Sequence, residues 1–438
     1  MPLSLIVALR FFGLFIVLPV LSIYALDMEG ATPFLAGLVV GGYALTQAVF
    51  QVPFGMMSDK FGRKQVLLFG LLIFIAGSVI AALSDDIYIL LIGRFLQGAG
   101  AIGSVVSAMI ADLVKEEQRA HAMAIMGGTI AMSFAVAMIV APIVGGNWGI
   151  DKLFWLTAIL SIIAIAVLFT SVPKPPHIVH SYSEEESTFL QVFKDKALVR
   201  MYVTFFFHWL IMTMAFFIIP LVMTGTVEEG GFGWEKAALW KVYMPAMILG
   251  VLSMAPAAIF GEKYGKGKEI FMLSIVAIII AFLAMGFARS PWVFIVGVVF
   301  FFIGFNMFEP LLQSFVAKFA KVHQKGAALG VANTFGYSGI FFGGILAGWL
   351  MQHYDRETLA LVVLAISVVW FVWVFTMPSP NNRGNVYLPL ELFDREQVAG
   401  LTQHEAIVES YVNETEQIAV VKYNKDLIDE DEVRGLLS

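Results

Sequence analysis

Apolar runs long enough to cross a bilayer recur along this chain, separated by short polar loops. A hydrocarbon core of about 30 Å takes about 20 helical residues. Runs of that order fall at 3–26, 34–54, 65–83, 89–112, 122–145 and 152–172, then at 199–223, 237–260, 269–288, 291–315, 325–350 and 358–377. The first is long enough to stay as a helix, so no cleaved signal peptide is expected. A longer polar stretch, Pro173–Ala197, divides the two sets. It holds Pro173, Pro175, Pro176 and the acidic run Glu184–Glu186, a linker composition. The pattern predicts an all-α membrane body of twelve helices in two six-helix halves (1–172 and 199–378), with a central loop over 173–198. After residue 378 the pattern changes. Val386–Leu390, Ile407–Asn413 and Ile418–Asn424 read as strands, Asp394–Gln403 and Asp429–Leu437 as short helices. The order β-α-β-β-α predicts a small ferredoxin-like α/β domain over 385–438.

The halves echo each other. Ser58-Asp59-Lys60-Phe61-Gly62-Arg63-Lys64 follows the second span, and Gly261-Glu262-Lys263-Tyr264-Gly265-Lys266-Gly267 follows the eighth. Duplicated halves that rock about a site between them are a recurrent transporter construction. Loops after the even-numbered spans, with the central loop, carry 15 Lys and Arg, against four (Lys152, Lys236, Arg289, Arg356) on the other side. The positive-inside rule therefore puts both termini in the cytoplasm.

Composition narrows the function. Of 438 residues, 59% are hydrophobic and 14% charged, with a mean hydropathy of +0.84; a soluble chain carries about 25% charged residues. A water-soluble enzyme, a disordered chain and a nucleic-acid partner are excluded. The net charge of −6 resides in the tail, since residues 379–438 carry −7 and the rest +1. With no cysteine, disulfides, thiolate metal sites and thiol catalysis drop out. No nucleotide-binding loop or metal-ligand pair is seen, so no cofactor or metal is expected, and the energy must come from a proton gradient, another ion gradient or the substrate.

The loop Gly55-Met56-Met57-Ser58-Asp59-Lys60-Phe61-Gly62-Arg63-Lys64 meets every fixed position of G-x-x-x-D-x-x-G-R-[RK]. By this loop and its twelve spans, residues 1–378 resemble the major facilitator superfamily. The resemblance implies that Gly55, Asp59, Gly62, Arg63 and Lys64, with Asp112 at the end of the fourth span, form a cytoplasmic latch between the halves in the outward-open state; a topological anchor is the plainer alternative. Arg94 in Gly93-Arg94-Phe95-Leu96-Gln97-Gly98 is similar to the family's R-x-x-Q-G, whose Arg is associated with proton coupling. Gly128, Pro142, Gly145 and Gly146 fit the fifth-helix pattern of drug/proton antiporters, in which Ala137 and Ala141 replace two glycines. Leu9–Gly13, Val17–Leu21 and Tyr43–Gly55, with the tail, resemble a bacterial group of proton-driven efflux transporters bearing a C-terminal cytoplasmic domain.

Few charges lie inside the spans. Glu309 and His208 are candidates for binding the coupling proton, with Arg10 as a counter-charge for Glu309, because charge within a membrane is costly enough to be functional by default. A hydrogen-bonded core histidine is the competing reading of His208. Lys241 is expected to reach the outer interface. Tyr43, Gln47 and Gln51 share one face of the second span and, with Asn306, Asn333 and Tyr337, sketch a substrate cavity, although interhelical hydrogen bonding explains such residues equally well. Gly339, Gly343, Gly344 and Gly348 are expected to serve helix packing.

The expectation is a multi-pass transporter of the bacterial inner membrane that exports small molecules by proton antiport. Proton-coupled uptake and a membrane sensor signalling through its tail are the alternatives. The expected partners are the lipid bilayer, protons and a small-molecule substrate, and the tail is expected to regulate or self-associate.

Overall fold

The computed structural model describes residues 2–114, 116–173, 191–193, 195–228, 230–320, 325–378, 383–389, 400–401, 404–413, 418–425 and 427–436. Twelve helices among these are long and apolar enough to cross a membrane. They are α1 (Pro2–Phe15 and Leu18–Leu26), α2 (Pro33–Phe61), α3 (Arg63–Ala82), α4 (Ile87–Ala99 and Gly103–Leu113), α5 (Glu116–Trp148) and α6 (Ile150–Thr170), then α7 (Lys196–Thr224), α8 (Lys236–Lys263), α9 (Gly267–Gly286), α10 (Pro291–Phe319), α11 (Lys325–His353) and α12 (Arg356–Phe375). Most of the expected central loop lies outside the described residues.

Two spans are interrupted for local reasons. Pro19, at the start of the second piece of α1, has no N–H to give the preceding turn. In α4 the helical ladder lapses at Gly100–Ile102, where Gly100 presses on the backbone of Gly70 in α3. Helix starts are capped by side chains. Thr32, Asp86, Asp195, Ser290 and Asp355 each accept from backbone N–H groups of the first turn, which would otherwise lack partners.

Helices α1–α6 pack chiefly among themselves, as do α7–α12, and the main seam between the sets is α2 against α11. Glycine makes this approach possible. A side chain on Gly37 or Gly41 would run into backbone of α11 at Gly344, Gly348, Ile340 or Phe341. On the same helix Gly339 and Gly343 face the backbone of α7 at Phe206 and Leu210. α11 thus carries two small-residue faces for two neighbours, the close packing that membrane helices need without a hydrophobic driving force.

Cross-seam hydrogen bonds gather at one end. Ser22 donates to the Phe217 carbonyl at 3.1 Å, Tyr243 to that of Pro19 at 3.1 Å, and the Phe34 N–H to Gln352 at 3.1 Å. Lys236 pairs with Asp27, and Gly146 of α5 abuts Ala237. All lie at the end away from the Gly55–Lys64 loop. At the loop's end, which we call the basic end, Gly127 and Gly128 of α5 and Gly326 and Gly330 of α11 face open space. Among the described residues, the cross-seam bonds close one face, and these four glycines leave room at the basic end.

Beyond the membrane body, β1 (Arg383–Pro389), β2 (Ile407–Asn413) and β3 (Ile418–Asn424) form an antiparallel sheet in the order β1-β3-β2. It has its own small core of Val386, Leu388, Ile407, Ala419, Val421 and Val433. The last of these lies on α13 (Glu430–Gly435), which begins with a capping box between Asp429 and Glu432. The helix expected over 394–403 lies largely outside the described residues. Lys422 of β3 donates to the Lys318 and Ala320 carbonyls at the end of α10, at 2.5 and 2.8 Å, and so docks the tail on the second set of helices. A lysine at a helix C-terminus satisfies its free carbonyls and its dipole.

Candidate functional site

At the basic end Gly62 has φ +97, a conformation that only glycine adopts without strain. It separates α2 from α3 and brings Arg63 back under α2. The Arg63 guanidinium lies 2.5 Å from Asp59, donates to Ser58 at 2.6 Å and meets Asp112 of α4 through Nε at 2.8 Å. Lys64 turns the other way and donates to the Leu168 and Val172 carbonyls at the end of α6. Every one of these partners belongs to the first set of helices. Among the described residues Asp59 meets no cation across the seam, and its side chain is 64% exposed. Arg63 and Asp112 are each only 16% exposed; loss of Arg63 takes the paired cation from Asp112, whereas loss of Asp112 leaves the Arg63 Nε unpaired beside its bonds to Asp59 and Ser58. Arg63→Ala and Asp112→Ala are each expected to cost about 1–3 kcal/mol of detergent-solubilised stability. Thermal unfolding of both singles and the double should show strong non-additivity; simple addition would refute the pairing.

Deeper in the first half lie two wholly buried guanidiniums, Arg10 of α1 and Arg94 of α4. Arg94 is braced. Its Nε donates to the Val39 carbonyl at 3.2 Å, Nη1 to Gln97 at 2.7 Å, and Gln97 donates to Ser78 at 2.9 Å. The cation also stands 4.6 Å from the Tyr43 ring centre. Arg10 has a thinner set. Nη2 donates to Gln47 at 3.3 Å, and the cation lies 5.3 and 5.1 Å from the rings of Phe11 and Phe74. Tyr337 of α11 brings its hydroxyl to Gln47 from the other half. Tyr43, Gln47 and Tyr337 therefore gather with both arginines at the seam.

The expected Arg10–Glu309 pair is not formed, because Glu309 points to a partner in its own half. His208 Nε2 of α7 stands 3.2 Å from Glu309 Oε1 of α10. The imidazole is buried at 1% exposure, stacked on Phe305 at 4.4 Å and flanked by Phe308 and Trp370. Its Nδ1 has no partner, while the Glu309 side chain remains 31% exposed. An aromatic box thus holds one face of a histidine–carboxylate pair, and the carboxylate reaches the accessible side.

The remaining candidates separate from these clusters. Asn306 donates to the Phe302 carbonyl at 2.8 Å and presses on Gly250 of α8. Buried at 3% exposure, it packs between α10 and α8, the interhelical role that was the alternative to a cavity contact. Gln51 lies against Gly103 of α4, and Asn333 is half-buried on α11. In α5, Ala137 and Ala141 are fully buried and Gly145 accepts from the Tyr24 hydroxyl, whereas Gly128 is open. Lys241 is exposed. Sequence reasoning missed the Ser78–Gln97–Arg94 chain, and also Glu262, which grips Ser314 and Lys318 of α10 much as Asp59 and Asp112 grip Arg63. The repeated loop after the eighth span was the available signal.

The profile of the Major Facilitator Superfamily matches residues 3–344 and 247–398. The inner membrane transport protein YajR of Escherichia coli (strain K12) is 35% identical over 437 residues, covering 98% of this chain and 95% of that protein. The quinolone resistance protein NorA of Staphylococcus aureus (strain Mu50) is 25% identical, with 86% and 95% coverage. Among solved structures, a D-xylose-proton symporter superposes with a TM-score of 0.71 at 16% identity, covering 86% of this chain and 98% of that one; at that identity the likeness concerns the fold alone.

Proposed function

The chain belongs to the major facilitator superfamily of secondary transporters, and from that membership we propose that it exports small molecules across a bacterial inner membrane by proton antiport. The observation that carries the reading is the His208–Glu309 pair, 3.2 Å apart. It places two groups able to exchange a proton inside the membrane, one sealed by aromatic rings and one accessible. Likeness to a quinolone resistance protein and to an inner membrane transport protein supports the direction and the location.

In this reading the basic end is the cytoplasmic one, and the structure is the inward-open state. Cargo enters from the cytoplasm as the pair gives up its proton. The halves then rock about the α2–α11 seam, the outer contacts of Ser22, Tyr243 and Lys236 part, and the basic end closes. Asp59, exposed at that end, is then available to the second half, completing the latch that Arg63 and Asp112 hold in readiness. Protonation of Glu309 or His208 from outside drives the return. Arg94 serves this cycle by holding α2, α3 and α4 together. The sheet order β1-β3-β2 suits a ferredoxin-like module, and its dock on α10, the helix that carries Glu309, suits a regulatory tail.

Everted vesicles carrying an imposed proton gradient and a fluorescent pH reporter test the proposal. Cationic, neutral and anionic compounds are added in turn. Collapse of the gradient by at least one compound, absent from vesicles lacking the protein, is expected. Silence across a broad panel, with folded protein present, would count against proton antiport.

A further inference from the structure

The two buried arginines differ in one respect. Arg94 spends its guanidinium on carbonyl, amide and ring contacts, leaving only Nη2 without a partner. Arg10, equally buried, leaves both Nε and Nη1 without one, and the amide nitrogen of its neighbour Gln47 lacks a partner as well. Gln47 Oε1 is already the acceptor for Arg10 Nη2, so its Nε2 lies beside the same guanidinium. These donors converge, and among the described residues the group that meets them is the Tyr337 hydroxyl on Gln47, with no charged acceptor. Among the described residues no carboxylate pairs with Arg10, and Glu309, the acid within the membrane body, is taken by His208. The rings of Phe11 and Phe74 offset part of the cation's burial. That is well short of what an unpaired buried ion costs.

We propose that Arg10 and Gln47 form a binding site for the oxyanion of an acidic cargo, a carboxylate or sulfonate carried on an aromatic or other apolar body. A planar oxyanion takes two parallel N–H bonds from a guanidinium edge; Nε shares its edge with Nη2, whose second hydrogen Gln47 does not use, and Nη1 offers a further donor. The rings of Phe11 and Phe74 supply the apolar wall, and Tyr337 brings the second half onto Gln47. Binding there bears on both halves, as an alternating-access site must. That the anion is cargo rests on the transport reading above; that it binds does not.

Binding is read on the purified full chain in detergent, without any gradient, from the thermal unfolding midpoint against ligand concentration. The probes are benzoate, 2-naphthoate and 2-naphthalenesulfonate, with benzamide as the neutral isostere and chloride as the inorganic anion. At least one organic oxyanion should raise the midpoint saturably, and benzamide should not. Loss of one charge-assisted contact weakens binding by about 10- to 100-fold, so Arg10→Met should abolish the shift, whereas Arg10→Lys should keep a weakened one. Gln47→Leu leaves the cation in place and should weaken the shift, which decides the matter if Arg10→Met does not fold. No shift with any organic oxyanion, or a shift that survives both Arg10→Met and Gln47→Leu, overturns the site. An equal shift with chloride overturns the cargo assignment. An oxyanion that binds through Arg10 yet never moves protons in vesicles removes antiport of that compound and leaves the site standing. Antiport confined to neutral or cationic compounds would overturn the cargo assignment and leave the transport reading standing.

Discussion

Glu309→Gln is expected to abolish gradient-driven transport while sparing exchange of cargo for cargo. The amide keeps the size of the side chain and can still meet His208 Nε2, now 3.2 Å from the carboxylate, but it cannot bind or release a proton. A carrier that has lost its proton site can still rock when loaded on both sides, because exchange requires no net proton movement. Uphill transport should therefore fall by at least about tenfold, with counterflow within about twofold of the parent. His208→Gln should do the same if the proton resides on the imidazole. If it resides on the carboxylate, that variant keeps coupling with a shifted pH profile. Proteoliposomes that measure both modes on one preparation make the distinction. Equal loss of both modes would show that the pair holds α7 to α10 and does nothing with protons. Stacking of the imidazole on Phe305 is what gives that outcome its weight.

How far the residues could be assigned before the fold was known follows from the range of each interaction. Twelve spans were legible because hydropathy acts over one helix and needs no partner. The Gly55–Lys64 turn was legible because its geometry is local, as φ +97 at Gly62 illustrates. The strands at 407–413 and 418–424 coincide with the alternation read there. Partners were not legible. Glu309 was assigned to Arg10, yet it lies beside His208, 101 residues away. That choice depends on helix rotation, and 100° per residue turns a small error in phase into a different neighbour. For Asn306 the two readings, cavity contact or interhelical packing, could be separated only by its neighbours, the Phe302 carbonyl and Gly250. The tail's dock through Lys422 had no signal at all, since one lysine on a strand reads as solvated until α10 is found to end beside it.

The α2–α11 seam yields the second large effect. A side chain on Gly344 would sit against the Gly37 carbonyl and the backbone of Gly41, and backbone cannot move aside as a flexible side chain does. Gly344→Val must therefore separate the two helices or fail to assemble, and overpacking of this kind costs about 1–3 kcal/mol or more. The separation falls at the end where Ser22, Phe34 and Tyr243 make their cross-seam hydrogen bonds. The closed face should open before the protein unfolds. Absence of native cysteine lets this be read directly. Ser22→Cys, buried in the parent, should resist a membrane-impermeant thiol reagent added from that side in intact vesicles. In the Gly344→Val background it should become reactive. Gly128→Val, placed where a side chain meets nothing within 4 Å, should leave Ser22→Cys protected. Protection of Ser22→Cys in a folded Gly344→Val protein would mean that the seam yields without opening the gate. The outer closure would then rest on the α5–α8 contact between Gly146 and Ala237, and the axis about which the halves rock would have to lie on that side of the molecule.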